Sequence, residues 1–386
     1  MATPTVYNDI ESGYSSNLVN VRQLESYLDI MDPDDYPLLQ EVGLNSYDVE
    51  ITNTKFEWQV DYLLPTQDTL GAAITTTDEE RLTVAHAEYF VLHDVIMVET
   101  ELFRVTSIDA TNNYLYVERG FAGSTAATHD NSLTVYRLGP ARPEGSSPGW
   151  ARQTAAVQPY NYTQIWDAMA EVTGTEEALK NYGPDDLLAM RIDREMRNLY
   201  VVMEQALLYG LRYQPASNTG RTTGGLAQFI HDTDDLSSAP LTYYDLETAM
   251  ANAADRVGKN NVPDSMYANS WVMRKVSSWG TPSIRTERTE TVFGNVITTI
   301  LTNFGPLRLV YDRLVATDRA YLLAMDRIMC GPLTGRGFKS YMHDIADTLD
   351  DARKERIIGE YGFVVKGEDG SNDGCHVMLD SISTAT

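Results

Sequence analysis

Residues 184–211 read PDDLLAMRIDREMRNLYVVMEQALLYGL. Leu188, Ile192, Met196, Leu199, Met203, Leu207 and Gly210 fall at steps of three and four, so one apolar stripe runs the length of the segment. Pro184 suits a first helical turn, and Asp185 and Asp186 suit the positive end of a helix dipole. Gly210 and Pro215 mark the end. At 1.5 Å per residue the pattern predicts a helix roughly 40 Å long. A helix of that length is a spine rather than a packing element of a compact enzyme.

Working outward, a second helix is predicted over Tyr243 to Val257. Strands are predicted over Asn295 to Leu301, Leu307 to Tyr311, Arg319 to Met325 and Arg356 to Val365. Helices and strands mix without a regular βαβ rhythm, so the fold class is α+β. Upstream, Phe56, Trp58, Val60, Tyr62 and Leu64 alternate with Glu57, Gln59 and Asp61, a strand with one apolar face that Pro65 ends. From about Thr66 to Leu138 the pattern is all short strands: Tyr89 to Val98, Glu101 to Ile108, Tyr114 to Glu118 and Leu133 to Leu138, with a turn at Asn112-Asn113. That spacing reads as a small β-barrel or sandwich. Gly139 to Gly149 (GPARPEGSSPG) reads as a linker. The first 50 or so residues carry Pro4, Pro33, Pro37, the acidic Asp32-Pro33-Asp34-Asp35 and one short amphipathic piece, Val21 to Ile30. They read as an extended arm that lies on its own body or on a neighbour.

Length and composition bound the function. The 386 residues suffice for two or three domains, and 43% are apolar, as in a globular chain. No run approaches the ~18 apolar residues of a membrane span. Met1 to Ile10 has neither a basic start nor an apolar stretch, so a soluble protein made in a cytoplasm is expected. Cys330 and Cys375 are too few for a disulfide framework or a four-thiolate zinc site, and are expected to be reduced and structural. Thirty Lys and Arg against 55 Asp and Glu give a net charge of −25. Such a surface repels phosphate backbones, which argues against a nucleic-acid reader but suits the wall of a container.

The stretches that resemble chemical motifs have plainer readings. In Glu118 to His129 (ERGFAGSTAATH), His129 is a candidate ligand or base, but no second His or Cys stands at metal-ligand spacing, and a structural turn is preferred. His86 and His93 are seven apart, so as strand residues they point to opposite faces. Gly220 to Gly225 (GRTTGG) lacks the Gly-Lys-Ser/Thr ending of a phosphate loop and reads as a flexible loop. Asp344, Asp347, Asp350, Asp351 and Glu355 lack the spacing of a calcium loop. The interleaved Arg353, Lys354 and Arg356 suggest ion pairs across a subunit contact or on a solvated face. There is no Gly-x-Ser-x-Gly elbow and no Cys/His dyad signature. No catalytic, cofactor-binding or metal residue is therefore assigned, and the chain is read as no enzyme.

Several short segments together resemble a known family. They are Thr52 to Trp58 (TNTKFEW), Asn161 to Trp166 (NYTQIW), Val172-Thr173-Gly174-Thr175, Tyr182-Gly183, Phe304-Gly305 with Arg308-Leu309-Val310, and Gly359-Glu360-Tyr361. Their order and spacing resemble the major capsid proteins of tailed phages with the Hong Kong 97-type fold. The resemblance implies an N-terminal arm (1–51) and an extended loop (52–162) carrying an inserted all-β domain at about 66–138. It further implies a peripheral domain (163–219) with the spine helix 184–211, an axial domain (220–326), and a return to the peripheral domain with a C-terminal tail (327–386). It implies a structural subunit that assembles as hexamers and pentamers into an icosahedral head enclosing double-stranded DNA, without sequence-specific binding. Implied partners are copies of itself, a portal, a separate scaffold protein and a cement protein, with no membrane. The place is the virion, assembled in host cytoplasm. Some relatives carry a long, cleaved N-terminal scaffolding segment, and no helical, charged region of that length precedes the arm. That departure leaves a mature form or a separate scaffold as the expectation. Candidate intersubunit contacts are Phe56, Trp58, Tyr62, Trp150, Arg353 and Arg356, the first three on an apolar strand face that would lie over a neighbour. An encapsulin-like compartment shell is the alternative, and a tail or baseplate protein a third reading.

Overall fold

The structure is a computed structural model. It describes residues 36–61, 64–142, 144–145, 157–179, 186–216, 220–279, 299–343, 351–368 and 374–383. The chain divides into two compact units: Met1–Val60 with Gln158–Thr386, and Asp61–Val157.

The larger unit begins with helix α1 (Pro37–Val42), which has proline in its first turn and buries Leu38, Leu39 and Val42. Strand β1 (Lys55–Glu57) follows. The predicted strand through Leu64 is shorter than its alternation suggests, because regular pairing stops at Glu57 before the chain enters the inserted unit.

The inserted unit is a barrel. Its strands are β2 (Gln67–Thr69), β3 (Arg81–Thr83), β4 (Asp94–Val98), β5 (Glu101–Asp109), β6 (Tyr114–Glu118) and β7 (Thr134–Pro140), in the order β2-β7-β4-β5-β6-β3. All neighbours are antiparallel. Leu70 bridges Val84, Gly71 N–H donates to the Thr83 carbonyl and Ala85 N–H to the Thr69 carbonyl, which joins the two edge strands and leaves no open edge at that seam. Ile96, Val98, Phe103, Val105, Leu115, Val117 and Val135 point inward at alternate positions and fill the interior. Gly139 and Pro140 belong to β7, so the start of the predicted linker is strand.

Back in the larger unit, β8 (Tyr160–Tyr162) pairs antiparallel with β1. Then come β9 (Gln164–Thr173), α2 (Gly174–Ala178), α3 (Leu187–Tyr209), α4 (Leu226–Phe229), β10 (Thr233–Asp235), α5 (Tyr243–Val257), β11 (Ser265–Ala268) and α6 (Ser270–Ser277). The remaining strands are β12 (Thr299–Leu301), β13 (Pro306–Tyr311), β14 (Ala320–Leu323), β15 (Ile328–Pro332), β16 (Lys339–His343), β17 (Ala352–Val365) and β18 (Val377–Asp380).

The spine is α3. Asp186 is its N-cap, accepting from Ala189 N–H at 3.0 Å, rather than a first-turn residue, and Pro184 and Asp185 lie outside the described residues. Leu188, Leu199, Met203 and Leu207 of the predicted stripe are buried. Gly210 N–H closes the end on the Ala206 carbonyl. Two sheets flank the core of this unit. In the first, β17 is the hub: residues 352–361 pair with β9, 354–358 with β16 and 361–365 with β15. The second is a mixed six-stranded sheet, β10-β18-β14-β11-β13-β12, against which α5 and α6 bury Leu246, Met250, Val272 and Val276. Within 327–386, read as a return to the peripheral domain with a C-terminal tail, β15, β16 and β17 join β9 in the first sheet, while β18 lies in the second sheet between β10 and β14, with Val377 and Leu379 buried against Ala320 and Leu322.

Candidate functional site

The quoted segment 161–166 is where chain pieces distant in sequence meet. Asn161 is fully buried, and its amide donates to the carbonyls of Gly224 (2.8 Å) and Phe363 (2.7 Å) while its oxygen accepts Gly224 N–H (2.8 Å). Gln164 accepts Thr223 N–H at 3.0 Å. The stretch Gly220 to Gly225 is therefore no flexible loop: Thr223 is 1% exposed, and Gly225 sits so close to α3 that a Cβ there would overlap the carbonyl oxygens of Ala206 and Leu207. Nearby, the buried Glu360 carboxylate accepts from Thr163 (2.6 Å), Arg221 (2.8 Å) and Arg336 (3.0 Å). Tyr361 takes Phe338 N–H on its hydroxyl at 3.1 Å. Two buried polar groups, each satisfied by side chains or backbone far off in sequence, fix how these segments cross. No sequence motif flagged Asn161 or Glu360 as anchors, because their partners lie up to 202 residues away.

The candidate contacts fall into three groups. Phe56 and Trp58 do not lie on a free face: they are 9% and 6% exposed, inside the larger unit's own core. Trp58 packs on Phe229 (5.5 Å between ring centroids) and on Phe56 (6.1 Å), and Phe56 fills the space beside Gly362. The period of two correctly marked an apolar face, but this subunit covers it itself. Tyr62 and Trp150 lie outside the described residues, as do Asp344, Asp347 and Asp350 of the acidic cluster. Arg353 and Arg356 are three apart on β17, so they point to opposite faces and are not brought together. Both pair within the chain: Arg356 grips Asp167 of β9 through two hydrogen bonds (2.8 and 2.5 Å), and Arg353 reaches Glu177 of α2 at 3.1 Å.

The Arg356 face of β9–β17–β16 is one of the surfaces left open among the described residues. The pairing register puts Met169 and Tyr341 on either side of Arg356, and these two side chains are 54% and 50% exposed. A cleft of about 270 Å³ beside them is lined by Gly335, Arg336, Gly337, Lys339, Tyr341 and Arg356. Apolar side chains beside a bidentate ion pair can dock another protein surface.

The titratable clusters elsewhere are structural. In the barrel, His129 is 4% exposed with one ring nitrogen 2.8 Å from Glu99 and the other 3.0 Å from Glu101. Arg119 donates to Glu101 twice, at 2.7 and 3.0 Å. Burial pushes the Glu101 carboxyl up, but hydrogen bonds from Arg119, Ala127 N–H and His129 outweigh it and hold the group at about 2. The ERGFAGSTAATH turn thus supplies the partners of a buried carboxylate. His86 and His93 sit in turns rather than strands: His86 contacts Asp68 at 3.1 Å and stacks on Tyr89, and His93 has a φ of 71°.

Among the described residues Glu368, Cys375 and His376 are buried with potential ligand atoms within 4.8 Å of one another. His376 Nδ1 accepts Ala324 N–H at 3.2 Å, so its proton sits on Nε2, facing the Lys366 carbonyl at 3.3 Å. Burial pushes the Cys375 thiol up to about 12 and His376 down to about 4, so the neutral forms persist. Both ring nitrogens of His376 are thus committed to backbone partners, which leaves this set an internal hydrogen-bond cluster.

The sequence matches the family described as SU10 major capsid protein over residues 6–371. The chain belongs to that family. It is a major capsid protein, a structural component of a virus head, and its α+β fold is that of the tailed-phage capsid proteins, the Hong Kong 97-type fold. None of the curated proteins matches it. Among solved structures, the capsid of a native GTA particle is similar over 97% of this chain and 100% of that one, with 8% identity and a TM-score of 0.53. The capsid of Myoviridae phage XM1 is similar over 94% and 97%, with 8% identity and a TM-score of 0.51. The SrpI encapsulin of Synechococcus elongatus PCC 7942 covers 60% of this chain and 79% of its own, at 11% identity and a TM-score of 0.43.

Proposed function

We propose that this capsid protein assembles with its own copies as hexamers and pentamers into an icosahedral shell that encloses double-stranded DNA, in host cytoplasm, and catalyses no reaction. The observation that carries the reading is family membership across residues 6–371. In this reading α3 with the β9–β17 sheet is the peripheral domain and the six-stranded sheet with α5 and α6 the axial domain. The barrel is an insertion in the extended loop. The Arg356 face, with Met169 and Tyr341, is the surface that meets a second copy. A net charge of −25 supports a lumen that does not adhere to packaged DNA. A portal, a scaffold protein and a cement protein are the further partners.

Negative-stain electron microscopy of the purified protein, alone and co-expressed with its gene neighbours, tests this. Closed shells, or hexamers and pentamers, are the expected result. A subunit that stays monomeric with every candidate scaffold present overturns it. Shells that hold protein cargo instead of DNA turn the reading to an encapsulin-like compartment.

A further inference from the structure

We propose that Glu204 and Asp312 form a pH-operated latch that holds α1 against the spine helix. Glu204 lies on α3 and Asp312 directly follows β13, and both are fully buried. Asp312 lies close enough for its charge to act on the Glu204 carboxyl. Two charged carboxylates buried beside each other repel, which favours a proton on the pair. The same Glu204 group accepts both Leu38 N–H (3.2 Å, Oε1) and Leu39 N–H (3.3 Å, Oε2), the first-turn amides of α1. Asp312 Oδ1 accepts Leu314 N–H at 2.8 Å. These hydrogen bonds tie the start of α1 to the spine, and Asp312 to the turn after β13. At six residues α1 cannot hold itself as a helix, so it depends on these ties together with the burial of Leu38, Leu39 and Val42.

The groups around the pair come from every packed element. Glu41 of α1 is clamped between the Tyr267 hydroxyl of β11 (2.6 Å) and Arg308 of β13. Tyr209 of α3 donates to the Leu314 carbonyl (2.9 Å), Tyr321 comes from β14, and Asp318 and Arg319 lie in the turn before it. Burial raises Tyr209, Tyr267 and Tyr321, and hydrogen bonding to Glu41 raises Arg308, so these four hold one charge through the neutral range. Glu204 is different. Burial first, then the Asp312 charge, raise its carboxyl from 4.5 to about 8, against partial lowering by the two α1 amides. When α1 lifts, water reaches the pair and the ordinary value returns. Between those two values the closed form holds one more proton than the open form. Closure is therefore favoured most below pH 4.5 and weakens as pH rises toward 8.

The test is hydrogen exchange at the Leu38 and Leu39 amides in the purified full-length subunit across the neutral range, corrected for base-catalysed intrinsic exchange. The opening constant should rise about tenfold per pH unit and level off near pH 8. Glu204→Gln removes the titrating carboxyl and keeps an acceptor for one of the two amides, so opening should be more frequent at every pH and independent of pH. A flat wild-type profile overturns the proposal. So does a wild-type slope that survives in Glu204→Gln, which assigns the titration to another group. Should that variant fail to fold, Asp312→Asn removes the neighbouring charge. It should move the plateau to lower pH, and an unmoved plateau overturns the proposal equally.

Discussion

Trp58 shows how a single side chain can be read correctly for burial and wrongly for partner. Its ring is enclosed by Phe56 and Phe229 of its own subunit. Trp58→Ala should cost about 3–5 kcal/mol of subunit stability, checked by urea denaturation of the unassembled protein. Loss of shell stability with an unchanged subunit would contradict the burial argument. Glu101 governs the barrel in the same way. Glu101→Gln leaves the Arg119 guanidinium, 6% exposed, without its countercharge, and should cost about 3–5 kcal/mol. Its carboxyl titrates near 2 when folded against 4.5 ordinarily, so the unfolded chain binds more protons in that interval. The barrel should keep this contribution above pH 4.5 and lose it as pH falls toward 2. Circular dichroism melts across that interval should show the loss in the wild type and a flatter profile in the variant.

At the scale of elements, caps and crossings matter more than propensity. α5 starts with a capping box in which the Thr242 hydroxyl accepts Asp245 N–H and the Asp245 carboxylate accepts Thr242 N–H. Thr242→Ala should lower stability by about 1 kcal/mol, read from the denaturant midpoint. The crossing of the 220–225 stretch over α3 is less forgiving. Gly225→Ala would set a methyl group on helix carbonyls that cannot retreat without breaking α3, so a loss of more than about 4 kcal/mol, or failure to fold, is expected. Gly220→Ala, with open space around its Cβ, is the control and should leave the midpoint unchanged.

At the scale of the molecule, the barrel has its own core and its own closed sheet, and β2 pairs with β7, so the chain enters and leaves it at adjacent strands. Replacing residues 66–140 with a short Gly/Ser linker should leave the larger unit folded, with near-native far-ultraviolet dichroism for the helices and a single cooperative melt. Collapse of the larger unit in that variant would show that the barrel is part of its folding. Shell formation by the same variant, followed by electron microscopy, separates a role of the barrel in folding from a role in assembly.

What the sequence alone determined was local. Helix α5 runs over its predicted residues, and the α3 stripe is buried at Leu188, Leu199, Met203 and Leu207, because helical period and termini are set by residues three or four apart. The inserted stretch was legible as short strands for the same reason, and the ordered family segments were legible in linear order. Only the tertiary structure decided what those elements touch. It closed the barrel at Leu70 and Val84, carried β18 into the second sheet, sealed Trp58 inside its own subunit, and pinned Gly224 to Asn161. It also placed two carboxyls 108 residues apart in one dry contact, where burial sets their chemistry. Each of these depends on partners distant along the chain, and the period of a sequence says which face is apolar without saying which surface will cover it.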